Sequence, residues 1–144
     1  MPNWIHNKLS IKGDGNLLCK CLELVYNIDE IDLRKLIPSP KDASIDWFYK
    51  HWGTKWNVTK EDTRVILNST NTHIVKFTTA NAPPKQWLKV LASKFPQLSF
   101  CMWYVHPSES YGKIKISGSV IKSQLWDFDE DNNDYKSFLN KHFI

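Results

Sequence analysis

Hydrophobic spacing in this chain switches repeatedly between a period of two and a helical period, and that order of switches restricts the fold more than any other feature. From Trp4 to Lys12, Ile5, Leu9 and Ile11 alternate with His6, Lys8 and Ser10, the pattern of a strand with one buried face. Gly13-Asp14-Gly15 breaks the strand. Leu17, Leu18, Cys21, Leu22, Leu24 and Val25 then recur at helical spacing and predict a helix whose apolar stripe lies on the sheet. Ile28 to Pro40 is irregular, and Pro38 and Pro40 remove backbone donors, so this stretch reads as a connecting loop anchored by Leu33, Leu36 and Ile37. Asp42 to His51 reads as a short helix carrying Trp47 and Phe48.

Two β-prone runs, Arg64 to Ser69 and His73 to Thr79, flank the polar Thr70-Asn71-Thr72 and predict an antiparallel hairpin. Pro83 and Pro84 preset the first turn of a second long helix, whose buried face is Trp87, Leu88, Leu91 and Phe95. Leu98 to His106 follows as a strand that is apolar on both sides, with Phe100, Met102 and Tyr104 on one face and Cys101, Trp103 and Val105 on the other. The order β, α, β, β, α, β is that of an α+β ferredoxin-like sandwich: an antiparallel sheet with its helices on one face. A C-terminal β extension from about residue 112 continues through Lys113 to Ile121, a bend at Gly118-Ser119 and Val120 to Phe128, and Asn133 to Phe143 adds a short amphipathic helix. All of residues 1–144 read as one domain.

A chain of 144 residues buries enough surface to hold a core without a metal or disulfide framework. No apolar run approaches the roughly 20 residues that span a bilayer, and Met1-Pro2-Asn3-Trp4 lacks the layout of a secretory signal, so the expectation is a cytoplasmic protein with no membrane contact. The three cysteines, Cys19, Cys21 and Cys101, form no CxxC pair and read as reduced thiols. The five histidines show no metal-ligand spacing. Asp127, Asp129 and Asp131 fill the first slots of a calcium loop, but Asn132 and Phe138 stand where it needs glycine and glutamate; these acids suit the positive N-terminus of the last helix instead. No nucleophile elbow, Walker loop or dinucleotide fingerprint occurs, so no catalytic residue, cofactor or metal is assigned.

The remaining candidates are binding surfaces. Seven tryptophans are many for a small core. Trp47, Trp52, Lys55 and Trp56 around Gly53 either form an exposed platform for a partner or cap the sandwich. Asp127, Asp129, Glu130 and Asp131 offer an acidic counterpart to a basic surface. The net charge is nevertheless +4, so the rest of the chain is basic, and Arg64, Lys85, Lys89, Lys113 and Lys115 are the alternative candidates, for nucleic acid. RNA-recognition modules share this strand and helix order, although Lys8 and Ser10 stand where the first strand of such a module carries a ring.

Met1-Pro2-Asn3-Trp4 with Asn7 and Leu9, Leu36-Ile37-Pro38-Ser39-Pro40, Trp52-Gly53-Thr54-Lys55-Trp56, Phe77 with Thr79, Ala80, Pro83 and Pro84, and Phe95-Pro96-Gln97-Leu98-Ser99-Phe100 with Tyr104 recur in this order in one family. Over roughly residues 1 to 112 the chain resembles the Api92-like, or YubB, ferredoxin-like domain family of phages and plasmids. Asn81 stands where that family usually has tryptophan, and Ile5-His6 replaces a cysteine-containing pair. The resemblance implies a ferredoxin-like fold encoded on a bacterial mobile element, and no particular reaction. Together with the surplus of aromatics it leads to the expectation of a non-enzymatic accessory protein in the bacterial host cytoplasm. Such a protein would dock on a host protein, for instance a defence nuclease complex inhibited in the manner of an anti-CRISPR protein. A nucleic-acid-binding module is the alternative, and Trp103 and Val105 mark either a homodimer face or a surface covered by the C-terminal segment.

Overall fold

The computed structural model describes residues 3–59, 62–129 and 133–143. Strand β1 (Trp4–Lys12) buries Ile5, Asn7, Leu9 and Ile11 on one face. Asp14 then caps helix α1 (Gly15–Val25), its carboxylate accepting from the amides of Asn16 at 3.1 Å and Leu17 at 3.2 Å. The segment read as an irregular loop is more ordered than its hydrophobic pattern suggests. Strand β2 (Tyr26–Asn27) pairs with β3 (Glu30–Ile31) around Ile28, and a 3₁₀ turn follows at Leu33–Lys35. Polar side chains organise it: the Asp32 carboxylate accepts from the Arg34 amide, ion-pairs with the Arg34 guanidinium at 2.9 Å and accepts from Asn57 Nδ2 at 2.8 Å. Those bonds, the Arg34 side chain first, hold its carboxyl below the usual range. Helix α2 is Ile45–His51 rather than starting at Asp42, because the Ser44 hydroxyl accepts from the Trp47 amide and sets the first turn there.

Strands β4 (Arg64–Asn68) and β5 (Thr72–Ala80) form the expected hairpin, and α3 (Lys85–Lys94) starts directly after Pro84. Strand β6 (Ser99–His106) leads to β7 (Ser110–Ser117) and β8 (Val120–Asp127). Gly118 and Ser119 make a two-residue hairpin turn rather than a bend, with Gly118 at φ +62° and Ser117 paired to Val120. Helix α4 (Asn133–His142) closes the described chain.

The six-stranded sheet has the order β4-β5-β1-β6-β7-β8, and every neighbouring pair is antiparallel. Its first four strands have the ferredoxin-like order, with β7 and β8 added beyond β6. Leu9, Ile11, Val75, Phe77, Phe100, Met102, Ile114 and Ile116 on the sheet join Leu18, Cys21, Val25, Trp87, Leu88 and Leu91 of the helices in one core. Asn7 is the polar member of this face: its Nδ2 donates to Thr79 Oγ1 at 2.9 Å, and the Thr79 hydroxyl donates to the Ala82 carbonyl, tying β1 to the turn before α3. Helix α4 lies on the opposite face, where Tyr135 and Phe138 pack against Tyr111 and Phe138 also meets Trp126. Helices therefore occupy both faces. Val105 and Trp103 lie under this second cover: Val105 is buried and Trp103 stacks on His142.

At Gly112 the neighbours on β6 and β8 leave no room for a side chain. A Cβ there would meet the Tyr104 hydroxyl and lie 2.7 Å from the Gln124 carbonyl oxygen. Gly112→Val should therefore destabilise the fold by about 1–3 kcal/mol through overpacking, measured by chemical denaturation. A variant as stable as the natural protein would mean that the three strands are not so tightly registered.

Candidate functional site

The tryptophan block around Gly53 is divided by burial. Trp52 is 1% exposed, donates from Nε1 to the Ile37 carbonyl at 3.0 Å and stacks on Phe48. It is a core residue, which corrects its reading as a contact for a partner. Gly53 adopts φ +86° and leaves no room for a side chain, since a Cβ would lie 3.0 Å from the Lys85 amide nitrogen. Thr54 Oγ1 donates to the Ala80 carbonyl at 2.8 Å, and the Trp87 amide donates to the Trp52 carbonyl at 3.3 Å. Trp-Gly-Thr thus clasps the end of α2 to the end of β5 and the start of α3. Trp47 is half-buried, stacked on His51 and packed edge-on against Trp52. Trp56 is half-exposed and meets Trp4 edge-to-face, with Lys55 Nζ 5.0 Å from its ring centre.

The nucleic-acid candidates separate between two layers. Lys85 and Lys89 belong to α3, with Lys85 Nζ 4.9 Å from the ring of Tyr104, a side chain of the core-facing side. Arg64, Lys113 and Lys115 lie on the outer side of the sheet, away from α1 and α3, and strand register brings further cations beside them. Arg64 pairs with Lys76, Lys76 with Lys8, Lys8 with Trp103 and Trp103 with Lys113. One cross-strand row therefore reads Arg64, Lys76, Lys8, Trp103, Lys113. In the next row Ser10 pairs with Cys101, Cys101 with Lys115 and Lys115 with Lys122. Periodicity alone gave no reason to single out Lys8, Lys76 or Lys122; each is an ordinary solvent-side lysine until strand order is known.

Like charges directly opposite one another on a sheet destabilise it, and the row sets Arg64 against Lys76 and Lys76 against Lys8. Aromatic faces absorb part of this charge: Lys8 Nζ lies 5.2 Å from the Trp103 ring centre and Lys76 Nζ 5.9 Å from that of Phe143. Burial, followed by Lys76 and Lys141, lowers the pKa of Lys8. His142 closes the row from above, its ring 4.4 Å from that of Trp103 with planes 22° apart. Burial, reinforced by Lys8, Lys141, Lys113 and Lys76, pushes its imidazole down to about 4.

Beside this stack a groove of about 330 Å³ stays open, lined by Ser10, Lys12, Ser99, Phe100, Cys101, Trp103 and Lys115, with no acidic side chain in its lining. The Cys101 thiol lies in its floor and is raised by burial against the opposing pull of Lys113, Lys115, Lys12 and Lys8. Asp127 ends β8 and borders a separate cavity with Tyr111, Trp126, Asp134 and Lys141. Asp129 is exposed, while Glu130 and Asp131 lie outside the described residues. Among the described residues no three His, Cys, Asp or Glu side chains gather into a metal cage, and no helix is long and apolar enough to cross a membrane. The face can hold an extended anion by charge and offer it one indole ring.

Residues 51–139 match the family described as the ferredoxin-like domain in Api92-like protein, and the chain belongs to that family. The match takes in β7, β8 and most of α4, past the point near residue 112 where the motif resemblance stops. A crystal structure of a protein api92 from Yersinia pseudotuberculosis shares the fold, with a TM-score of 0.69 over 90% of this chain and 99% of that chain at 9% identity. No curated protein matches the chain.

The His142 environment has a pH signature. A histidine in an unfolded chain takes up its proton near pH 6.5. As pH falls from there towards 4, the unfolded chain gains a proton that folded His142 does not accept, so stability is lost in that window and is level above it. His142→Phe keeps a ring on Trp103 and removes this contribution. Denaturation at pH 7 and pH 5 should show a smaller acid loss in the variant; equal losses would contradict the buried neutral imidazole.

Proposed function

We propose that this member of the Api92-like family is a non-enzymatic nucleic-acid-binding module that holds a phosphate backbone against the outer face of its sheet. The observation that carries the reading is the row Arg64, Lys76, Lys8, Trp103, Lys113, continued by Lys115 and Lys122. Neighbouring strands are about 4.8 Å apart, so the row presents closely spaced cations in one plane. Such an arrangement opposes folding and is relieved by a bound polyanion, whose phosphates release counterions on neutralisation. The open groove over Cys101 supplies the approach, and Trp103, whose ring is stacked on His142, borders it with an apolar edge against which a sugar or base can pack.

A second reading keeps one observation of its own. Trp4, 39% exposed, and Trp56 form an aromatic patch with Lys55 at the end of the molecule away from Cys101. Docking of this patch on a host protein, with Asp127 and Asp129 as an acidic arm, is the accessory role of a phage or plasmid protein that inhibits a cytoplasmic defence complex. Under that reading Trp56→Ala abolishes stoichiometric recovery of a host protein from a bacterial lysate, whereas Lys113→Ala does not.

The primary reading is tested by fluorescence anisotropy with labelled single-stranded DNA, single-stranded RNA and duplex probes over a range of salt. Binding should weaken steeply with salt, and the double variant Lys113→Ala, Lys115→Ala should lower the slope by about one unit for each lost phosphate contact. Lys89→Ala, on the helix layer, should leave both affinity and slope unchanged. Binding that is absent, insensitive to salt or equally affected by Lys89→Ala would overturn the proposal.

A further inference from the structure

The two edges of the sheet are built differently. At the β4 edge the pairing with β5 shifts register between Val65 and Leu67, and Arg64 begins the strand. A bulge and a charge are the usual means by which an edge is turned away from other chains. Strand β8 carries Lys122 and Asp127 but has no bulge. It pairs with β7 without a register shift from Ser117↔Val120 to Ser110↔Asp127, and all eight of its residues are exposed. Its side chains on the helix side of the sheet, Ile121 and Leu125, are 49% and 62% exposed. That leaves an edge uninterrupted by a bulge and unpaired among the described residues, with apolar pairs at its two ends, Val120-Ile121 and Leu125-Trp126, around a polar middle.

The strand also has an internal symmetry. Outward from Ser123 in either direction, Val120-Ile121-Lys122-Ser123-Gln124-Leu125-Trp126 reads polar, apolar, apolar. We propose that β8 pairs antiparallel with β8 of a second copy of this chain, with the two-fold axis between Ser123 and its equivalent. In that register Ile121 meets Leu125 of the second copy on the helix side, Val120 meets Trp126 on the outer side, and Lys122 meets neutral Gln124. Directly opposed side chains share a face, so both helix layers lie on one side of a continuous sheet and both cation rows on the other.

Charge and pattern select this register over its neighbours. A slip of one residue sets Ile121 against Trp126 or Gln124, pairing helix-side with outer-side residues and turning the second copy over. The adjacent registers that keep the faces aligned set Lys122 directly against Lys122, or Asp127 against Ile121. Only pairing about Ser123 opposes neither like charges nor a charge and an apolar residue between Val120 and Trp126. The inference rests on the edge alone and holds whether or not the outer face binds nucleic acid.

Residues directly opposite across an antiparallel pair have Cα atoms about 4.5–5.5 Å apart, within disulfide range. Ser123→Cys in a Cys19→Ser background should therefore give a disulfide-linked dimer under mild oxidation with oxidised glutathione. Ile121→Cys and Leu125→Cys should each stay monomeric under the same treatment, yet cross-link when mixed, because each faces the other across the axis. All four positions are exposed, so the variants retain the fold. Sedimentation equilibrium of the natural chain should show reversible dimerisation that Leu125→Lys abolishes. A strictly monomeric natural chain, or cross-linking of Ile121→Cys alone as readily as Ser123→Cys, would overturn the pairing.

Discussion

Strand β1 is hydrogen-bonded on both sides, to β5 and to β6, and the rest of the structure depends on that central position. A strand locked between two neighbours cannot rotate its side chains from one face to the other, because a single step of register reverses them all. Leu9 and Ile11 are thereby committed to the helix layer, and Lys8 and Ser10 to the outer layer. The pairing of Lys8 with both Lys76 and Trp103 follows from the same constraint. The cation row is thus a consequence of strand order rather than of local sequence, and the apolar face of β1 maintains it.

A ferredoxin-like arrangement covers one face of its sheet and leaves the other open. This chain covers part of the second face with its own C-terminus: Tyr111 and Trp126 of the added hairpin receive Phe138, and Trp103 receives His142. The cover stops short of the groove over Cys101, which divides the outer face into an aromatic half beneath α4 and a polar, basic half that remains accessible. Trp103 stands at the border. Its ring meets the Lys8 ammonium as well as His142, so charge and stacking converge on one side chain.

Periodicity exposed most of the fold. The alternation in residues 4–12 and the helical stripes of α1 and α3 are strong because each element buries a single face, and the prolines at 83 and 84 fix where α3 begins. The Ile28 to Pro40 stretch was hidden because Asp32, Asn57 and Arg34 hold it, and side-chain hydrogen bonds, whether local as between Asp32 and Arg34 or distant as between Asp32 and Asn57, leave no periodic trace. The site was less legible than the fold. Trp52 and Trp56 look alike in the sequence, but Gly53 turns the chain between them so that one ring enters the core and the other remains half-exposed. Lys113 and Lys115 stood out beside Ile114 and Ile116, whereas Lys8 and Lys76 became informative only once β5, β1 and β6 were adjacent.

Recognition through the outer face, and not the helix layer, is the proposal on which the functional reading turns. Amide chemical-shift mapping during titration with a short single-stranded oligonucleotide tests it most directly. Shifts should concentrate at Lys8, Ser10, Cys101, Trp103, Lys113 and Lys115 and leave α1 and the exposed side of α3 untouched. Shifts centred on Lys85 and Lys89, or none at saturating oligonucleotide, would contradict it.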